Sequence, residues 1–174
     1  VLKMKAVDMF SNVGGMVLYQ NFEMVGYFER RKQCKDILVA RMNQGFLDSA
    51  PIYESVNLLP KADILLSKFS TPNKFQLTMD ALDATNAKYI FFQSPALMTK
   101  KTEKWRTILQ GIAEKGFDVT WTVMSPSNIG SPHIRRIWFC FGIRVREPYK
   151  ITSNFLAWEN KTMFMDGFLK EKEY

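Results

Sequence analysis

Histidine is nearly absent from this chain and cysteine is scarce, with one His and two Cys among 174 residues. Cys34 and Cys140 lie far apart, with no CxxC pair and no histidine cluster, so neither a disulfide framework nor a zinc site is expected. No metal ligand set of any other kind stands out. An apolar run of about 18 residues is also missing, which excludes a membrane-spanning helix. No basic-then-apolar leader opens the chain, so a reducing compartment, cytoplasm or nucleus, is the expectation. The chain begins at Val1 rather than Met, which leaves room for a preceding piece. Acidic residues are outnumbered, 17 against 24 Lys and Arg, for a net charge of +7. That balance suits nucleic acid, an acidic protein surface or a phosphorylated ligand, and selects none of them.

What is present is apolar and aromatic: 47% hydrophobic and 14% aromatic residues, enough for one sizeable core in a chain of this length. Short apolar runs alternate with segments of helical period. "KAVDMF" is followed by "GGMVLYQNFEM", "VGYFE" by "RKQCKDILVARMN", "ADILLSKF" by "FQLTMDALDAT", and "KYIFFQS" by "TEKWRTILQGIAEKG". This is the pattern of βα units feeding a doubly wound, mostly parallel sheet, and the expected class is α/β. The clearest helix covers about Glu103 to Lys115, with Trp105, Ile108, Leu109 and Ile112 on one face, Thr102 placed to cap it and Gly116 to end it. After it come two strand-like runs, "DVTWTVMS" and "RRIWFCFGIR", joined by "PSNIGSPHI" without a helix. They predict an antiparallel pair closing one side of the sheet. The expected division is an α/β domain over residues 1–146 and an extension over 147–174. That extension carries Phe155, Trp158, Phe164 and Phe168 at no clean period. It reads either as a cover for the sheet edge or as a segment that docks a protein partner.

Two features of the first βα unit point to a ligand. "DMFSNVGGM" (Asp8 to Met16) is a tight turn in which Gly14 and Gly15 permit close backbone approach. The second strand then ends at Glu29, where an acid can accept hydrogen bonds from the ribose hydroxyls of a nucleoside cofactor. The plain alternative is helix packing with a surface glutamate.

Taken in order, these segments resemble the catalytic domain of the cytosine-5 DNA methyltransferases. "DMFSNVGGMVLYQNFEMVGYFE" is similar to that family's cofactor motif D-x-F-x-G-x-G-G with its helix and acidic strand end. "PKADILLSKFSTPNKF" is similar to the strand and nucleophile loop D-I-L-x-x-G-F-P-C-Q. "AKYIFFQSPALM" matches the strand ending in E-N-V, and "GSPHIRRI" the segment G-x-P-Q-x-R-x-R. The similarity runs from about Lys5 to Arg144. It implies a Rossmann-like sheet of the S-adenosylmethionine-dependent methyltransferase type and a reaction on a cytosine flipped out of the duplex.

The resemblance also implies where the chemistry should sit, and there the residues differ. The nucleophilic cysteine falls on Thr71, after Ser70 in place of proline; the proton-handling glutamate falls on Gln93; the last arginine falls on Ile137. His133 replaces a glutamine, while Arg135 and Arg136 remain as weak candidates for nucleic-acid contact. A threonine hydroxyl without an adjacent base is a far poorer nucleophile than a thiolate, and an amide exchanges no proton. On the cofactor side Phe10, Gly14, Gly15 and Glu29 are retained, and Asp48 is expected to face the adenine amino group. Asn12 and Lys68 replace two glycines, and an ammonium at 68 would oppose a sulfonium.

The expectation is therefore an inactive relative with a structural or interaction role, a subunit of a larger assembly such as a viral particle, with no bound cofactor. Two alternatives stay open: a regulatory subunit that binds S-adenosylmethionine, and a fragment of a split DNA cytosine methyltransferase. Non-specific, salt-dependent DNA contact is compatible with each.

Overall fold

The structure, a computed structural model, describes residues 3–17, 22–95, 102–130, 132 and 134–145. Seven strands form one sheet: β1 (Lys5–Met9), β2 (Glu23–Phe28), β3 (Ile52–Tyr53), β4 (Ile64–Lys68), β5 (Tyr89–Pro95), β6 (Phe117–Met124) and β7 (Ile137–Arg144). Their order is β3-β2-β1-β4-β5-β7-β6. The first five pair in parallel, and β7 runs antiparallel between β5 and β6. The mostly parallel α/β sheet and its antiparallel closing pair are thus as expected from the alternating runs.

Burial follows topology. In β1 every residue after Lys5 is buried, and in β4 every residue before Lys68, because both central strands are covered on two faces. Three helices lie beside them: α1 (Lys32–Asn43), α2 (Pro72–Thr85) and α3 (Thr102–Glu114). Ile108, Leu109 and Ile112 of α3 join Phe75, Met79 and Leu82 of α2 in one core with Ile90, Phe92, Trp138 and Cys140. Leu38 of α1 belongs to the core on the other face, with Tyr27, Leu47 and Leu66. Gly116, at φ +80°, ends α3 in the left-handed conformation that glycine adopts without strain. The Trp105 side chain and the Thr102 cap fall outside the described residues.

The β5–β7–β6 half presents a second, more open face. Tyr89 stacks on Phe141 with ring centroids 6.3 Å apart and Phe91 on Phe139 at 6.0 Å. Phe141, Ile143 and Met124 on this face stay exposed. No described helix is long and apolar enough to cross a membrane.

Residues 12–17 form consecutive turns, in keeping with the tight turn expected over Asp8–Met16. The helix-period segment "GGMVLYQNFEM" differs at its end, where β2 begins at Glu23, and its residues 18–21 lie outside the described residues. Gly14 (φ +80°) packs so closely on Leu47 that a Cβ there would stand 2.6 Å from its Cδ1. That contact holds the segment as a turn against the α1–β3 link. Residues 146–174, and with them the expected extension, lie outside the described residues.

Candidate functional site

In a sheet of this order the parallel strands on either side of β1 send their connections to opposite faces, which opens a crevice over their carboxyl ends. The turn after β1 forms one wall. Phe10 and Asn12 both take positive φ, 57° and 51°. Asparagine is among the non-glycine residues that best tolerate this region, so Asn12 keeps the backbone path that the resemblance assigns to a glycine. Phe10 packs edge-on against Phe28 with centroids 5.5 Å apart.

Glu29 follows β2 at the expected edge, but its carboxylate is already engaged. Oε1 accepts from the backbone N–H of Arg30 (3.0 Å) and Arg31 (2.9 Å) and from Arg31 Nε (3.2 Å). Oε2 accepts from Asn12 N (3.0 Å) and Arg31 Nη2 (3.1 Å). Arg31 also donates to Asn12 Oδ1. Burial pushes the Glu29 pKa up, yet the hydrogen bonds and charge of Arg31, with the Asn12 N–H, outweigh it and hold the acid below its ordinary value.

Asp48 lies elsewhere. Its Oδ2 accepts from Met24 N (3.2 Å) and its carbonyl from the Tyr27 hydroxyl (3.1 Å), beside a small recess of about 90 Å³. Met24 is near the amino end of β2, so the Asp48 carboxylate stands at the opposite end of that strand from Glu29. The acid at the carboxyl end of β3 is Glu54, which pairs with Lys35 and whose carbonyl accepts from Arg30 Nε (3.0 Å). The residue spacing had favoured Asp48, because β3 is too short to be recognised by periodicity.

Beneath the turn, two charges face one another. Asp8 on β1 is fully buried, and among the described residues no group hydrogen-bonds its carboxylate oxygens. The Ser11 hydroxyl donates to its backbone carbonyl at 2.7 Å. Burial raises the Asp8 pKa to about 7, against the pull of Lys68. Lys68, the last residue of β4, sends its ammonium under the turn, 3.5 Å from where a Cβ on Gly15 would lie. Burial lowers its pKa and Asp8 opposes the shift.

Next to it opens a cleft of about 360 Å³, with Lys68, Lys74 and Arg135 among its lining residues. Gln93 and Ile137 reach it from β5 and β7, so two positions of the resemblance that are distant in sequence do meet. Gln93 sits opposite Lys68 in the β4–β5 register. Thr71 is at the rim: it is the N-cap of α2, its hydroxyl accepting from Lys74 N at 3.4 Å, while Ser70 beside it lines the cleft. Arg136 is exposed and outside the lining, and His133 is outside the described residues. Neither thiol is near: Cys34 lies on α1, and Cys140 is buried in the core, its pKa pushed up to about 12 by burial. No group of three His, Cys, Asp or Glu able to hold a metal occurs among the described residues. Sequence reasoning missed Arg31 and Asp8; the signal for the first was the arginine pair directly after Glu29.

The sheet and its cleft define the class: a Rossmann-like fold shared with S-adenosylmethionine-dependent methyltransferases. A structure described as a DNA modification methyltransferase from an E. coli prophage superposes with TM-score 0.62 at 18% identity, covering 82% of this chain and 47% of that one. DNMT2 of Spodoptera frugiperda gives 0.63 at 17%, covering 86% and 53%. A ribosomal protein L11 methylase of Lactobacillus delbrueckii subsp. bulgaricus gives 0.61 at 12%, covering 83% and 72%. At these identities the likeness is one of fold. The sequence profile of C-5 cytosine-specific DNA methylases matches residues 74–171, more than half of the chain, and the chain belongs to that family. It spans about half the length of the two DNA methyltransferase structures. No curated protein matches it. Family members use S-adenosylmethionine.

Proposed function

We propose that this chain is a member of the cytosine-5 DNA methylase family without methyl-transfer activity, acting through protein contacts as a subunit of a larger assembly, for example a viral particle. The observation that carries the first half is the cleft itself. Its described lining contains neither a cysteine nor a carboxylate, and the nucleophile position, Thr71, spends its hydroxyl on capping α2. With Gln93 in place of an acid and Ile137 in place of an arginine, the described lining offers no thiolate and no carboxylate to carry a proton.

The cradle also fits S-adenosylmethionine poorly. The ammonium of Lys68 lies where Gly15 gives access, and would repel a sulfonium. Glu29 would have to release Arg31 before it could accept from ribose hydroxyls. Phe10, Gly14 and Gly15 keep the form of the turn without the charge pattern the cofactor needs.

An interaction role is supported by the exposed Phe141, Ile143 and Met124 on the open face of β5–β7–β6. Residues 147–174, with Phe155, Trp158, Phe164 and Phe168, are the proposed docking segment. The exposed Arg135 and Arg136 would allow weak, salt-dependent DNA contact.

The test has two arms. Purified full chain, given labelled S-adenosylmethionine and cytosine-containing DNA, should transfer no methyl group above background; turnover abolished by Gln93→Ala would overturn the inactive reading. In its native source the chain should be recovered at fixed stoichiometry with a protein partner, and Phe141→Arg or Trp158→Ala should weaken that complex. A monomer indifferent to both substitutions would overturn the interaction role.

A further inference from the structure

The three cations around the cleft have no acidic counterpart among its described lining residues. Lys68 projects from the end of β4, Lys74 from the first turn of α2, and Arg135 from the segment before β7. The Lys74 ammonium sits 5.1 Å from the centroid of the Phe10 ring, a contact that places it on the turn side of the cleft, toward Lys68. The neighbouring carboxylates do not balance this charge. Glu29 is neutralised by Arg31, and Asp8, its pKa raised to about 7 by burial, offsets Lys68 in part and leaves Lys74 and Arg135.

Neutral hydrogen-bonding side chains fill the gaps between the cations. Asn12, Ser70 and Gln93 line the same space. The 14-residue helix α2 starts there as well, with its N-terminal dipole adding to the positive field. The volume is that of a small-molecule site rather than of a track along a polymer.

From this geometry we infer that the cleft is an anion site that takes a small phosphate-bearing ligand, a nucleotide or pyrophosphate, with Lys68, Lys74 and Arg135 holding the phosphate oxygens. The arrangement reverses the electrostatic sense of a pocket for a cationic methyl donor: a fixed ammonium at residue 68 supplies the positive charge, and the ligand must bring the negative one. Lysine binds phosphate as a point charge and arginine can do so in bidentate fashion, so the set is suited to a terminal phosphate with several free oxygens. Lys68 and Lys74 are partly desolvated beside the turn, so their contacts are worth more than the same charges on an open surface, while Arg135 is exposed. The inference goes beyond the proposed function and does not rest on it. Methyl transfer could be found with the anion site intact, or the anion site could fail while the chain remains inactive.

Calorimetry on the full chain at low salt tests it, with inorganic pyrophosphate, adenosine 5′-diphosphate, adenosine and a short DNA duplex as probes. Both phosphate probes should bind, and adenosine should not. Lys68→Met should weaken pyrophosphate by about tenfold or more, the loss expected for one charge-assisted hydrogen bond. Lys74→Met and Arg135→Gln should each weaken it too. Lys61→Met should change nothing, since that ammonium bonds the Ala84 carbonyl outside the cleft. Because Lys68 is half-buried beside Asp8, its variant is checked by circular dichroism; if it does not fold, the Lys74 and Arg135 variants decide the matter. Failure of both phosphate probes to bind folded protein would overturn the inference. So would binding indifferent to all three substitutions, adenosine binding as well as its diphosphate, or binding of the duplex alone, which would point to a nucleic-acid backbone instead.

Discussion

Arg31 closes over Glu29 with both Nε and Nη2, at 3.2 and 3.1 Å, and so covers from within the chain the acid that the resemblance assigns to a ribose. The pair is uneven: the Arg31 side chain is 60% exposed and that of Glu29 is 6% exposed. Removing the arginine therefore costs little by itself, whereas removing the buried acceptor leaves the donors of Asn12, Arg30 and Arg31 unmatched. Glu29→Ala should destabilise the chain by about 1–3 kcal/mol in urea unfolding, and Arg31→Ala by about 1 kcal/mol or less.

Glu29 also sets a pH dependence. Its folded-state pKa lies below the ordinary 4.5, so its contribution is fully present above pH 4.5 and disappears as pH falls through the folded value. Glu29→Gln should flatten that acid limb when unfolding is followed against pH.

Asp8 works in the other direction. Its folded pKa is raised from 3.8 to about 7, so the native state holds the proton more tightly than the unfolded chain does between those values. Stability should fall as pH rises across this window, by on the order of 4 kcal/mol, and level off above it. Thermal unfolding from pH 4 to 8 measures the slope, and Asp8→Asn should remove it. Lys68→Met should shift the end of the window to higher pH, because the ammonium is what restrains the Asp8 pKa.

Thr71 gives a separate reading of structure against chemistry. As the N-cap of α2 it should cost about 1 kcal/mol when replaced by alanine. Thr71→Cys should not confer methyl transfer onto DNA, because Gln93 still cannot exchange a proton. A labelled-methyl assay showing turnover in that single variant would contradict the proposed account of the site.

Gly142 is where β7 is packed most tightly. A Cβ there would lie 2.8 Å from both Ile90 Cγ1 and Val119 Cγ1. Gly142→Ala should cost about 1–3 kcal/mol through overpacking, with no effect on ligand binding at the cleft.

The alternation of apolar runs with helical segments was enough to specify the α/β class, four of the five parallel strands, α1 to α3 and the antiparallel pair of β6 and β7. Each is a local pattern, repeated every two or every 3.6 residues, and survives in a single sequence. The ordered motifs went further and placed Gln93, Ile137 and Arg135 near one site. They could not say which acid lies on which edge. Asp48 and Glu54 are six residues apart along the chain but belong to opposite ends of the sheet, and that depends on how the two-residue strand β3 pairs with β2. Nor does any local pattern show that Lys68 turns under Gly15, that Asp8 is buried below it, or that Arg31 folds back onto Glu29. These are encounters between side chains from different strands, decided by sheet register and by where each strand ends. In this protein such encounters, rather than the motifs alone, set the charge of the cleft.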